Sequence, residues 1–513
     1  MVSSKSGSFL KSALLSLSFS LSLGLTGCNV DELRSQPTTA QHPVVAASVV
    51  PPRQQPVKES QAPVKAVSSP KVQSLEDADE ADEGDQDSEM EEEDCLVQET
   101  ASRRFLPITS RPPGGRILPA TENECGFYNW SLQTFLYVSQ PDQDGTPAFA
   151  GFEAPEKVFG LKSAADHSVL TLNGGFRQAG DLGAILVDQN HNPIFFSIHI
   201  NDVFANFIKK NGLNQLTSML QAPEAGGVSA NLEFPPGAVE LKAAWKILAP
   251  GEDASDYFTL QARVPLLKNV GAQVVDTGQT REATVALLSL HVVGVVQDHP
   301  EFIWATFEHV DAEGRRDIAP AASENPDAAQ PQQVDATQVA YPLYGHGAGT
   351  ANILPLQRFD EASQTFADAT SVFRVFPASS SEQSEEDEEV LTLNQQLSEL
   401  FARSDPMGRD PRRHYRMVGA VWIDQPGADS PAGIFKAERS FENSETDKIL
   451  AGEDRLSSMA MESFTQQTSF NCLSCHNTLS KSLGNDRFLP PRRVNVSNVL
   501  TYYLRKSLET PQD

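Results

Sequence analysis

Val239-Glu240-Leu241-Lys242-Ala243-Ala244-Trp245-Lys246-Ile247 changes character at nearly every step. Successive side chains of a strand point to opposite faces. Val239, Leu241, Ala243, Trp245 and Ile247 therefore share one face, and Glu240, Lys242, Ala244 and Lys246 the other. The pattern predicts a half-buried strand. Outward from it, residues 284–296, 302–310 and 415–423 are further strand candidates. Residues 184–187 and 194–200 flank Asp188-Gln189-Asn190-His191-Asn192-Pro193, which reads as a hairpin with a turn-rich loop. Asp188, Asn190 and Asn192 copy the start of a calcium loop, but Pro193 stands where that loop needs glycine and His199 where it needs glutamate. No calcium site is expected there.

Helices are expected at 130–138, where Leu132, Phe135 and Leu136 share a face, and at 203–208, stopping at Gly212. Leu391, Leu393, Leu397, Leu400 and Phe401 predict another near 390–403. Residues 318–338 and 378–389, rich in Pro, Ala, Ser and acid, read as surface insertions. No internal repeat is visible. The expected fold is α+β: a β-rich body over 95–455, then a mostly helical C-terminal segment over 456–513.

The chain has 513 residues, 68 acidic against 40 basic, for a net charge of −28. That balance excludes a basic nucleic-acid-binding surface, so no nucleic-acid partner is expected. Thirteen acids lie in 76–94 and six in 382–389, so the rest is only mildly acidic.

Lys5 and Lys11 precede an uncharged, leucine-rich run that ends in Leu25-Thr26-Gly27-Cys28. Residues 1–27 read as a cleavable export signal. Its last three residues with Cys28 resemble a lipobox, in which the cysteine carries the lipid. Several acyl chains would hold the protein on a membrane, where one chain would not. Asn29 in place of Asp points to the outer membrane of the bacterial envelope. Residues 28–94, rich in Gln, Pro, Ser, Thr, Val and Ala and closed by the acidic run, read as a disordered tether. At ~5–6 Å times the square root of its length, it would reach roughly 45 Å.

The chemistry lies in Asn471-Cys472-Leu473-Ser474-Cys475-His476-Asn477. Cys-x-x-Cys-His is the attachment pattern of haem c. Two thiols add to the two porphyrin vinyl groups, and the next histidine is placed as proximal iron ligand. A thioredoxin-like pair would need a βαβ context, and zinc would need two further ligands nearby. With Cys28 assigned to lipid and Cys472 and Cys475 to haem, Cys95 and Cys125 remain and are expected to pair.

The sixth iron ligand is open. No Met or His follows His476. Met459 and Met461 are the nearest upstream candidates, and two methionines so close can equally be core packing. His309, on a strand face with Ile303, Ala305 and Phe307, is a weaker one, and His299, His346 and His414 are weaker still. Five-coordinate or water-ligated iron is the alternative. After the motif, Val496, Val499, Leu500, Tyr503 and Leu504 fall at helical spacing. Ahead of them Pro490-Pro491 extends the chain and presents Arg492 and Arg493. Their planar guanidinium groups would suit haem propionates, with a solvated basic end as the alternative.

These stretches together resemble the large single-haem cytochrome c-like proteins of bacteria. The resemblance spans roughly residues 125–480. It is carried by Trp130-Ser131-Leu132-Gln133-Thr134-Phe135, the run His299 to His309, Met461-Glu462-Ser463-Phe464-Thr465-Gln466, and Asn471 to Asn477. It implies haem and export and no established substrate. Two functions stay open. One is an electron-transfer lipoprotein working with a redox partner protein. The other is a haem enzyme or ligand sensor with an open iron site for peroxide, oxygen or a small oxidisable molecule. A third reading is an envelope binding protein with a structural haem.

Overall fold

The spine of the fold is β5, Gln273–Val296, which runs for 24 residues. A computed structural model places it within residues 124–509, described with breaks at 162–169, 173–174, 180–183, 298, 312–317, 321–339, 346–351, 353–357, 376–384, 424–449, 453–455 and 467–471. The expected export signal, Cys28, the expected tether, Cys95, His346 and most of the two expected insertions lie outside the described residues.

β5 is long enough to pair with three strands. β3 (Val239–Ile247) lies antiparallel along one side of it. On the other side β4 (Thr259–Val270) pairs with its first half and β6 (His299–His309) with its second. β2 (Phe195–Ile200) extends the sheet beyond β3. β9 (Tyr415–Ile423) and β10 (Leu450–Gly452) extend it beyond β6, and β1 (Leu170–Thr171) pairs in parallel with β4, giving eight strands in one sheet. β4 was not expected. It contains Pro265, which argues against a strand, but a bulge between Pro265 and Leu267 accommodates the missing donor. A small hairpin, β7 (Phe359–Asp360) with β8 (Thr365–Phe366), stands apart from this sheet.

One face of the sheet is covered by α1 (Glu124–Val138) and α4 (Glu385–Ser404). Phe127, Trp130, Phe135, Leu393, Leu397 and Phe401 pack there on Leu241, Trp245, Val292, Ile303, Ala305 and Phe307. Trp130 rests directly on the strand: a Cβ on Gly294 would meet its ring at 2.8 Å and the Ala238 carbonyl at 3.0 Å. The opposite face carries α2 (Asp202–Asn211), α3 (Leu216–Leu220) and residues from 456 onward. Asn201 caps α2 by accepting from the Phe204 N–H, and Gly212 ends it at φ 65°.

The β-rich α+β body is as expected. The C-terminal segment is less helical than expected. It holds the single turn α5 (Cys472–Cys475), the hairpin of β11 (Lys481–Gly484) and β12 (Arg487–Leu489), and one longer helix, α6 (Asn498–Glu509). Gly484, Asn485 and Asp486 all take positive φ and turn the hairpin, which keeps α5 from continuing into α6.

Candidate functional site

The charged residues of β3 do not face solvent. On the side of the sheet opposite α1, register aligns Ile200, Glu240, Val293, Trp304 and Val421 in one row across five strands. The next row is Ile198, Lys242, His291, Thr306 and Gly419, and the next Phe196, Ala244, Ser289 and Glu308. The C-terminal segment lies across these rows and is stitched to them by polar bonds. Ser289 Oγ meets Ser458 Oγ at 2.9 Å, and the Met459 N–H donates to Glu308 Oε1 at 2.7 Å. Arg374 pairs with Glu308 Oε2 at 2.5 Å. His291 Nε2 lies 3.0 Å from Glu462 Oε1, and its Nδ1 lies 2.9 Å from Thr306 Oγ1. The Ser458 N–H donates to Glu462 Oε2 at 2.8 Å. Farther along, Ser497 Oγ donates to Glu240 Oε2 at 2.6 Å.

The Cys-x-x-Cys-His stretch sits at the end of this polar strip. α5 forms one turn, closed by the His476 N–H donating to the Cys472 carbonyl at 2.8 Å. Lys481 Nζ donates to the Cys475 carbonyl at 2.8 Å and to Asn477 Oδ1 at 2.9 Å, a cation where the turn ends. The His476 ring lies 4.2 Å from that of Trp304, centroid to centroid. Trp304 is itself held by donation from Nε1 to the Glu301 carbonyl at 3.1 Å. Between them in sequence Phe302 adopts φ 74°, a strained conformation for a bulky residue in a strand.

His476 Nδ1 lies 3.1 Å from the Val496 carbonyl. A carbonyl only accepts, so Nδ1 carries the proton and Nε2 keeps its lone pair. Burial, then the charges of Lys481, Lys242 and His291, push the imidazole down to about 3, against the Val496 bond, so it is neutral at physiological pH. Burial and the charge of Glu462 push the Cys472 thiol up to about 12. Burial would raise Glu462. The charge and hydrogen bond of His291, the charge of Lys242 and the Ser458 N–H outweigh it and bring Glu462 down to about 2.

The other expected site residues are placed as follows. Met459 and Met461 are fully buried in an apolar cluster with Phe196, Ala244 and Leu288, separate from the cluster that holds Cys472 and Trp304. His309 lies on β6 five residues from Trp304, hence on the other face. Its ring stacks on Tyr257 at 3.7 Å, and Nε2 donates to the Asp256 carbonyl at 3.1 Å. Arg492 is 1% exposed and donates to three carbonyls, those of Val228, Met219 and Gln221, at 3.0, 2.7 and 2.6 Å. Arg493 is bonded to Glu233. Both guanidinium groups thus anchor the segment to α3 and the loop after it.

Cys472 is a free thiol. Cys125 and Cys475 are not free, and their sulfur partners lie outside the described residues, so nothing described pairs Cys125 with Cys95. Among the described residues no group of three or more His, Cys, Asp and Glu is arranged to hold a metal ion. A cavity of about 1220 Å³ runs along β2, lined in part by Gln178, Ser197, His199, Tyr502 and Tyr503; the motif residues do not line it. No described helix is long and apolar enough to cross a membrane.

Lys242, His291, Trp304 and Glu462 were not singled out by sequence reasoning as neighbours of the motif. Trp304 and Glu462 had a signal, because each lies in one of the stretches that carry the resemblance. Compared with known proteins, the chain matches no family model, no curated protein and no solved structure.

Proposed function

We propose that this chain is an exported c-type haem lipoprotein that passes single electrons at the bacterial envelope. The observation that supports it best is His476. In a Cys-x-x-Cys-His turn, it is held neutral by its surroundings, with Nδ1–H on the Val496 carbonyl and Nε2 left as a donor atom. A metal-ligating histidine characteristically gives its other N–H to such a partner, which fixes tautomer and ring orientation. Haem also brings four nitrogens of its own. It therefore needs from the protein an axial imidazole and two thiols, which is what this turn offers. Cys472 and Cys475 would hold the porphyrin, and His476 the iron. The group would supply a one-electron ferric–ferrous couple. Attachment requires Cys475 to be released as a thiol. Cys28 would carry the lipid, and the tether would let the body meet a redox partner protein away from the membrane surface.

A second reading, a haem enzyme or ligand sensor with an open distal site, is favoured by one placement. Met459 and Met461 pack in a different cluster from Cys472, and His309 lies on the far face of β6 from Trp304.

A denaturing gel stained for haem tests the haem reading. Wild type made with haem-attachment machinery should stain at its own mass, and Cys472→Ala or Cys475→Ala should lose most of the signal. A stain-negative wild type overturns it. Resonance Raman spectroscopy then separates the two roles: six-coordinate low-spin iron supports electron transfer, and five-coordinate iron the second reading. Cys28→Ala should release a haem-bearing protein from washed membranes.

A further inference from the structure

We propose that Glu462 sets the reduction potential of the haem attached at Cys472 and Cys475, by holding a fixed negative charge beside the attachment turn. This rests on the haem reading above.

Three observations converge on Glu462. First, its carboxylate is locked. Oε1 is held by His291 at 3.0 Å and Oε2 by the Ser458 N–H at 2.8 Å. Both anchors are anchored in turn, His291 by Thr306 at 2.9 Å and Ser458 by Ser289 at 2.9 Å. The group cannot swing farther into solvent without breaking its bonds to His291 on β5 and to the Ser458 N–H. Second, it lies beside the motif: its partner His291 is one row of the sheet from Trp304, whose ring lies 4.2 Å from that of His476. Third, an opposing charge stands on the same row of the sheet. Lys242 faces His291 across the β3–β5 pair and feels the charge of Glu462. Lys242 Nζ donates to the Gln178 carbonyl at 2.9 Å and sits 5.1 Å over the Phe196 ring.

Reduction adds one electron to the iron and no proton to these groups. A fixed anion nearby favours the more positive ferric state and lowers the midpoint. A fixed cation does the reverse. Glu462 is half-buried, so solvent weakens its field less than that of a surface carboxylate. The segment 457–462 is then more than a structural strap. It delivers a charge to the haem site, and the sheet's polar rows serve to hold that charge still.

Redox titration of the full-length haem-loaded protein tests this. Glu462→Gln should favour the ferrous form at least tenfold at the wild-type midpoint, a rise of about 59 mV for one electron. Glu462→Asp, which keeps the charge, should stay near wild type, and Lys242→Gln should move the midpoint down. Opposite signs for the two glutamine variants support a charge effect. A shift of both in one direction reports altered packing around the haem and overturns the inference, as does an unmoved Glu462→Gln. If Glu462→Gln fails to retain haem, a lowered midpoint in Lys242→Gln with an unchanged Glu462→Asp still supports it, and any other outcome for that pair overturns it. A wild type without covalent haem fails on the stained gel instead, before any titration, and so separates failure of the haem reading from failure of this one.

Discussion

Arg492 should be worth several kcal/mol to the fold and nothing specific to a haem. Its guanidinium is 1% exposed and gives one N–H each to the carbonyls of Val228, Met219 and Gln221. Met219 lies in α3 and Gln221 just past its end, where carbonyls lack helical partners and a cation is favoured. Hydrogen bonds to charged groups are worth about 1.5–3 kcal/mol each, and desolvating the cation offsets much of that. Breaking a buried charged cluster by removing one partner typically costs about 3–5 kcal/mol. Arg492→Met keeps the apolar stem and leaves the three carbonyls without their donor, so about 4 kcal/mol is expected. At about 2.1 cal/mol/K per residue, a unit of roughly 390 residues has an unfolding entropy near 0.8 kcal/mol/K, so Tm should fall by about 5 °C. Scanning calorimetry of the full chain measures it. A Tm within about 1 °C of wild type, with a midpoint potential that drops, would refute this reasoning and return Arg492 to the propionates.

Two further outcomes follow from the same layer. Burial raises Glu240 to about 7, against the opposing effects of Ser497 and Lys242. The folded state then binds more protons than the unfolded state between the ordinary carboxylate range and pH 7, so this group makes stability fall as pH rises through that window. Denaturant titrations at several pH values should show the slope in wild type and a flatter profile in Glu240→Gln. Cys472, with its thiol pushed up to about 12, should alkylate slowly in the folded haem-free protein and quickly once unfolded, as followed by mass spectrometry.

The strands were legible where their own residues decide them. Tyr415–Ile423 forms with the ends that its apolar run indicates. Residues 203–208 stop at Gly212 because a left-handed residue is required there. β3 shows the limit. Alternation told correctly which side chains share a face, but not what covers that face. Glu240 and Lys246 look like solvent-facing residues, yet they are 7% and 5% exposed. Period two reports polarity, and burial depends on a layer supplied from elsewhere in the chain. The motif is legible for the same local reason: Cys472, Cys475 and His476 fall within one turn. Its surroundings are not. His291 sits in an apolar run that gives no hint of a partner, and that partner is 171 residues away. Arg492 and Arg493 stand out by charge, but three backbone carbonyls that one of them binds have no signature in sequence.

The covering layer also orders events in time. Arg492 reaches Met219 over 273 positions, and Ser497 reaches Glu240 over 257. A chain emerging from its N-terminal side displays Glu240, Lys242, His291 and Glu308 to water long before residues 456–508 exist to receive them. Until then, those polar side chains keep water beside the apolar Val293, Trp304 and Val421 of the same face. Synthesis must run nearly to the final helix before that surface closes, so the step that completes the fold is also the step that brings the Cys-x-x-Cys-His turn to its place.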